Sequence, residues 1–275
     1  MRAGCGVAAI ICFTSDFGLG DAWVGVCHAV MHRTCPEAHV VDLDHGIGAF
    51  DVRKGAAVAA SGAFQLPDAV HLVVVDPGVG SSRADLCIVT ESGGLLVAPD
   101  NGVALPAAER LGGVAAAYAL EASALGMSHV AATFHARDIL APAAAALACG
   151  ADPTTLGGLV DCASLVPGPF GDSRLEGAHV LGEVVDIDRF GSLRFNVTTQ
   201  RLAGLGTGVE RLEIELGHNA LSVPLAHTFS EVSEGDPVAV VDSSGWLTLA
   251  VNQGDAANRF GVSPGAHVRV SRLAP

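Results

Sequence analysis

Two short stretches of this chain hold residue types that can act together on a water molecule. In Val73-Val74-Val75-Asp76-Pro77-Gly78-Val79-Gly80-Ser81-Ser82-Arg83, an apolar β-branched run delivers a carboxylate into a glycine-rich turn, with a guanidinium just beyond it. In Phe134-His135-Ala136-Arg137-Asp138, a second apolar segment delivers an imidazole ahead of a helix. An Asp, an Arg and a His gathered at strand ends can orient a water, take its proton and neutralise charge during a displacement reaction. The arginine keeps the carboxylate ionised. Pro77 confines Asp76 to extended backbone, and the glycines after it let other groups approach the main chain closely. Singly, each residue has a plainer reading: Asp76 as a turn residue, Arg83 as a surface cation, His135 as a hydrogen-bonded core histidine. Their value lies in coincidence.

These residues need elements that end together. Val7 to Phe13 and Val70 to Val75 are short continuous apolar runs, the pattern of strands covered on both faces. Residues 22–32 and 52–64 read as helices, the second capped by Asp51 and broken by Pro67-Asp68. Cys87 to Thr90 and Leu95 to Ala98 read as a hairpin through Glu91-Ser92-Gly93-Gly94. Asp138 is expected to cap a helix over Ile139 to Cys149, with Pro142 tolerated in its first turn. The expected fold is α/β, with an N-terminal mostly parallel sheet flanked by helices over residues 1–166. After Val166-Pro167-Gly168-Pro169-Phe170-Gly171-Asp172 the texture changes. Val180 to Ile187, Leu212 to Leu216, Val238 to Val241 and Trp246 to Val251 read as short strands with no convincing helix between them. Residues 172–275 are therefore expected to form a small C-terminal all-β barrel or sandwich.

Composition bounds the function classes. At 275 residues, half of them hydrophobic and few aromatic, the chain can bury a substantial core by close helix–sheet packing. No apolar run is long enough to cross a bilayer. Met1-Arg2 followed by Val7 to Phe13 superficially resembles a short signal peptide. It lacks a convincing small-residue cleavage site and runs straight into Thr14-Ser15-Asp16, so a buried first strand is the better reading. A formal charge of −14 argues against a nucleic-acid surface, which needs clustered cations. No basic helix suits a membrane partner. The seven cysteines lack the paired C-x-x-C spacing of a zinc site and read as reduced, mostly buried thiols of a cytoplasmic protein.

Thr14-Ser15-Asp16-Phe17-Gly18, the Asp76 to Arg83 segment and the Phe134 to Asp138 segment, in that order, resemble the S-adenosylmethionine (SAM) hydroxide adenosyltransferases, relatives of the SAM-dependent fluorinase and chlorinase. The likeness extends from Thr14 to about Asn252. It implies displacement at the ribose C5′ of SAM by water, giving adenosine and methionine, with Asp76, Arg83 and His135 beside the carbon under attack. Asp76 and His135 would hold the water and accept its proton. SAM is then the substrate, with no cofactor and no metal, since a sulfonium is already a good leaving group. The likeness further implies a homotrimer, with each site formed by the first domain of one subunit and the second domain of its neighbour.

Other positions match the family's binding residues. Asp16 would accept both ribose hydroxyls. Asp21 would help hold the methionine ammonium, or cap the following helix. Phe50 would line the pocket or pack in the core, and Asn101 in Asp100-Asn101-Gly102 matches a family motif that is also a common turn signal. The segment Asp188-Arg189-Phe190-Gly191-Ser192-Leu193-Arg194-Phe195-Asn196 resembles the family's Asp-x-Phe-Gly-Asn…Asn pattern, with Asp188 toward the amino-acid end of SAM and Phe190 in the same motif. Ser192 stands where the family has an adenine-contacting Asn. A hydroxyl cannot reproduce the paired donor and acceptor of an amide, so a water or Asn196 would have to compensate. Ser243-Ser244-Gly245-Trp246 and Val251-Asn252-Gln253 look like the carboxylate-binding and adenine-edge segment, with Ser244 where the fluorinase has Arg. Phe229 would stack on adenine or sit in the core.

Three other readings compete. The halogenase pattern has Tyr at the position of Asp76 and Ser at that of Ala136; halide capture needs donors in a dry pocket, and an anionic Asp76 repels the halide. Rossmann methyltransferases share the strand–Asp–Gly-x-Gly turn, but they require a helix directly after it, where Ser81-Ser82-Arg83 leads into strands. A non-catalytic SAM or adenosine sensor would have no use for Asp76, Arg83 and His135 together.

Overall fold

The computed structural model describes residues 9–273, and the chain divides into two compact units, the first running to Pro169 and the second starting at Phe170. In the first unit one sheet holds β1 (Ile10–Ser15), β2 (His39–Asp44), β3 (Val70–Val74), β4 (Asp85–Thr90), β5 (Leu95–Pro99), β6 (Val114–Leu120) and β7 (Gly157–Val160). Its order is β2-β1-β3-β5-β4-β6-β7. Strands β2, β1, β3 and β5 run parallel, while β4, β6 and β7 join by antiparallel pairs. The sheet is thus parallel over one half, less than its buried apolar runs imply. The cause is local. Glu91-Ser92-Gly93-Gly94 is too short for a crossover, so β4 and β5 form a hairpin. This reversal brings the first residue of β4 to the same edge of the sheet as the last residue of β3.

Val7 and Ala8 of the expected first strand lie outside the described residues. β1 continues past Phe13 because Thr14 and Ser15 pair with Val73 and Val74 and are buried. Helices α1 (Trp23–Thr34), α2 (Val52–Gln65), α3 (Leu105–Arg110) and α4 (Ala141–Ala148) pack on the sheet. α2 explains the Ala- and Gly-rich composition. Its buried face is Gly55, Ala56, Ala59, Ala60, Gly62 and Ala63, and a Cβ on Gly55 would press on Val75. Small side chains let the helix lie close against the strands. Asp51 caps it, accepting from Lys54 N at 2.9 Å.

Asp138 does not cap the last helix. A π-helical turn, Ala136–Leu140, precedes α4, and Asp138 is buried inside it, accepting from Ala131 N at 2.8 Å and from the Arg137 guanidinium. The cysteines also depart from expectation. Cys35 and Cys149, which end α1 and α4, form a disulfide across Cα atoms 5.8 Å apart. Packing of the two helices brings them together, and 114 residues of sequence hide the pairing. Cys12, Cys27 and Cys87 are buried free thiols as expected; burial pushes Cys12 up to about 11 and Cys87 to about 12, which leaves them inert.

His71 on β3 is buried, with Nε2 donating to the Leu66 carbonyl at 3.0 Å. Burial holds its pKa below the ordinary imidazole value, against the opposite pull of that carbonyl. In acid the unfolded chain therefore binds this proton more readily than the folded one. Its contribution to stability is full above about pH 6.5 and declines as pH falls below it. Calorimetry between pH 7 and 5 should show a melting temperature that falls with acid, and a shallower fall in His71→Gln. An unchanged slope in the variant would remove His71 from the account.

The second unit contains β8 (Arg174–Glu176), β9 (His179–Ile187), β10 (Leu193–Thr198), β11 (Arg211–Leu216), β12 (Asn219–Ala226), β13 (Pro237–Val241), β14 (Trp246–Val251) and β15 (His267–Arg272). Seven of these close into a barrel, β9-β10-β14-β13-β12-β11-β15 and back to β9, with β8 added beside β9. β11 shows the patterning: Leu212, Ile214 and Leu216 are buried, while Arg211, Glu213 and Glu215 are exposed. They join Phe195, Leu193, Leu247 and Leu249 in the core. Two five-residue helices, α5 (Thr199–Ala203) and α6 (Ala256–Phe260), interrupt the strands where none was expected. Each opens on a polar cap, Thr198 or Asp255, and is too short to show a helical period. Among the described residues no helix is long and apolar enough to cross a membrane.

Candidate active site

Asp76 follows the buried end of β3 and is fixed by a fork of hydrogen bonds. Its Oδ1 accepts from Arg83 Nε at 2.7 Å and from Gly78 N at 3.2 Å, and its Oδ2 accepts from Arg83 Nη2. Such bidentate pairs fix orientation as well as charge. The remaining arm of Arg83, Nη1, donates to the Ala84 carbonyl at 2.9 Å and to Asp85 Oδ1 at 2.6 Å. Asp85 Oδ2 then lies 2.7 Å from His135 Nδ1. A carboxylate only accepts, so Nδ1 carries the proton and donates, which leaves the Nε2 lone pair to take one. The four side chains form one chain: Asp76, Arg83, Asp85, His135. Asp85 is buried and the other three are partly buried, His135 being the most open with 16% of its side chain exposed.

Burial works to lower the Arg83 pKa. The hydrogen bond to Asp76 and the charges of Asp85 and Asp76 outweigh it and hold the guanidinium above its ordinary value, so it stays charged. Asp85 is the residue that the sequence reading missed. Its signal was an acidic residue opening the apolar run Leu86-Cys87-Ile88-Val89, because a buried carboxylate needs a partner. Two further features set the geometry. Gly80 has φ +77°, and a Cβ there would run into the Ala132 carbonyl, so the Asp76 turn packs directly against the segment leading to His135. Asn101 donates from Nδ2 to the Val75 carbonyl at 2.8 Å and accepts from Val103 N at 3.1 Å. Its amide braces the residue before Asp76.

At the end of β1, Asp16 accepts from Phe50 N at 2.8 Å through Oδ2. Phe50 is 68% exposed and has φ 67°, which rules out core packing for its ring. Among the described residues only Phe50 and Gln253 (φ 55°) are non-glycines in the left-handed region, and both are positions matched to substrate binding. Such backbone is strained for a bulky residue and clusters at functional sites. Asp21 is exposed and does not cap α1, whose N-cap is Ala22 without a side-chain bond.

In the second unit, Phe190 and Phe229 are exposed, so a core role for Phe229 is excluded. Asp188 Oδ1 accepts from Phe190 N at 2.8 Å and Ser192 N at 2.9 Å, shaping the turn that presents Phe190. Ser192 is buried. Asn196 is anchored to the backbone, its Oδ1 accepting from Glu183 N at 2.8 Å and its Nδ2 donating to the Gly171 carbonyl at 2.6 Å, with one lone pair and one N–H left over. Ser244 N donates to Asp242 Oδ1 at 2.8 Å beside Ser243. Asn252 Nδ2 donates to the Val232 carbonyl at 2.8 Å, between buried Val251 and strained Gln253.

The chain is similar to known proteins along nearly its whole length. Residues 11–157 match the SAM hydroxide adenosyltransferase N-terminal domain, and residues 182–269 match the C-terminal domain of that family. The (R)-S-adenosyl-L-methionine hydrolase of Salinispora tropica is 42% identical over 95% of this chain and 97% of its own. The crystal structure of an uncharacterized conserved protein from Thermotoga maritima superimposes with a TM-score of 0.86 at 34% identity, covering 95% of this chain and 100% of that one. A fluorinase from Actinoplanes sp. is more distant, 26% identical over 96% of this chain and 97% of its own. With two domain matches in order and that level of identity, this chain belongs to the SAM hydroxide adenosyltransferase family.

Proposed function

We infer that this protein hydrolyses SAM to adenosine and methionine by attack of water at the ribose C5′, with His135 as the base. The hydrogen-bonded chain from Asp76 through Arg83 and Asp85 to His135 is the observation that carries this reading. The water oxygen forms the new bond to C5′ as the C5′–S bond breaks. The electron pair of that bond stays on sulfur, which becomes the neutral thioether of methionine, and the water proton passes to His135 Nε2. The sulfonium leaves without acid assistance. The harder task is holding a weak nucleophile in line, where positioning supplies several kcal/mol. Asp76, clamped by Arg83, orients the second hydrogen of the water. A buried carboxylate at this place repels halide, which favours water over halogenation.

In this reading the first unit carries the reacting set, with Asp16 on the ribose hydroxyls, Asp21 near the ammonium and Phe50 against the substrate. The second unit supplies adenine and methionine contacts through Phe190, Phe229, Ser243 and the Val251–Gln253 turn. The relatives are named for the R configuration at sulfur, and we assign the same preference here. We also assign the homotrimer that the family resemblance implies; sedimentation that finds an active monomer would exclude it.

The direct test is turnover of each sulfur epimer of SAM in oxygen-18 water, with and without fluoride or chloride, followed by mass spectrometry. The expected product is adenosine labelled at its 5′ oxygen, with methionine, no halide dependence and faster loss of the R epimer. Unlabelled adenosine, or a 5′-halogenated nucleoside, would overturn the reading.

A further inference from the structure

Four of the chain's eleven histidines fall between positions 28 and 45, and none belongs to the reacting set. Two of them converge on one carboxylate. His28 Nε2, on α1, lies 2.7 Å from Asp42 Oδ1, and His45 Nε2, just past β2, lies 2.9 Å from the same oxygen. One ligand atom from each of the three residues falls within 4.8 Å of the other two. His45 is buried, and its Nε2 has no aligned hydrogen-bond partner despite that short approach. Its other nitrogen, Nδ1, lies 2.7 Å from Ser15 Oγ. If Nδ1–H donates to Ser15, the Nε2 lone pair faces a carboxylate, an arrangement that a cation between them would satisfy. His28 and Asp42 are partly exposed, so an ion can reach the place from solvent.

We propose that His28, Asp42 and His45 form a binding site for a late divalent transition metal ion, with Zn2+ as the natural occupant. Two imidazoles and one carboxylate suit zinc and its neighbours and disfavour Ca2+ or Mg2+, which take oxygen ligands. Ser15 supplies the outer bond that orients a ligating histidine. Three protein ligands leave an open position facing solvent. The ion shares no ligand with the Asp76–His135 chain and takes no part in the displacement. Its effect falls on the turn after β1, because the His45 carbonyl accepts from Gly18 N at 2.7 Å and Ser15 directly precedes Asp16. A filled site would tie β2 and α1 to the segment that presents Asp16.

The test is calorimetric titration of the chelator-treated full chain with Zn2+, with Co2+ absorption as a check on ligand geometry and thermal melting as a second readout. One equivalent should bind, with a Co2+ spectrum of low coordination number and a raised melting temperature. His28→Ala and Asp42→Asn should each weaken binding at least tenfold, while His28→Ala without metal hydrolyses SAM at the parent rate. His32 and His39 line a surface cavity with His28 and are the rival ligands. Absence of saturable binding in the parent overturns the proposal. So does binding that survives His28→Ala, or that is lost in His32→Ala but kept in Asp42→Asn.

Discussion

Asp85→Asn is expected to lower kcat for SAM hydrolysis by roughly 10²–10⁴-fold, the range typical of losing general-base catalysis, with little change in KM. The argument rests on where protons can go. Asp85 accepts from Arg83 on one oxygen and from His135 on the other. An asparagine can accept on one side only. The permanently charged Arg83 takes that side, because a guanidinium offers only donors. The amide NH2 then faces His135 Nδ1 and donates to it, which moves the imidazole proton to Nε2. A histidine in that tautomer cannot receive a proton from the water. A variant within threefold of the parent would mean that His135 is not the base.

Asp76→Asn should also lose about 10²-fold or more in kcat, but through a different failure. The introduced amide accepts one hydrogen bond from Arg83 and sets its NH2 against the second donor. The buried guanidinium is left partly unpaired, a change that typically costs about 3 kcal/mol. The melting temperature should therefore fall by several degrees. The two substitutions should not add in a double variant, since both carboxylates are hydrogen-bonded to Arg83. Full hydrolytic activity in Asp76→Asn would remove Asp76 from the reaction, and an unchanged melting temperature would show that Arg83 is held by Asp85 alone.

The contrast between Asp76 and Asp85 shows what the sequence makes legible. Asp76 ends an apolar run, enters a glycine-rich turn and has Arg83 close by, so its role can be read locally. Asp85 opens a strand. The apolar pattern marks the hairpin but reads its first strand as starting at Cys87, past the polar Asp85. In the structure the strand begins at Asp85, which pairs with Pro99 and so lies at the same edge of the sheet as the end of β3. The helices α1 and α2 were readable from period and from the Asp51 cap. β2, β10, β12 and β15 were not, because their side chains alternate or mix with polar residues and take their place from pairing partners. Asn101 and Asn196 were flagged by motif, yet their amides serve the backbone. Motif likeness marks a position as special without distinguishing a residue that touches substrate from one that holds the turn. The left-handed backbone at Phe50 and Gln253 is a feature that composition and spacing do not reveal.

The bond between Cys35 and Cys149 turns the intervening chain into a closed ring, and Asp76, Arg83, Asp85 and His135 all lie on it. A protease that cuts once in the loop between β6 and the π-helical turn would open the ring without releasing either piece. The nicked molecule would migrate as one species on a non-reducing gel and separate into two when reduced. His135 and Asp76 would thus remain on covalently tethered fragments after their stretch of backbone is severed.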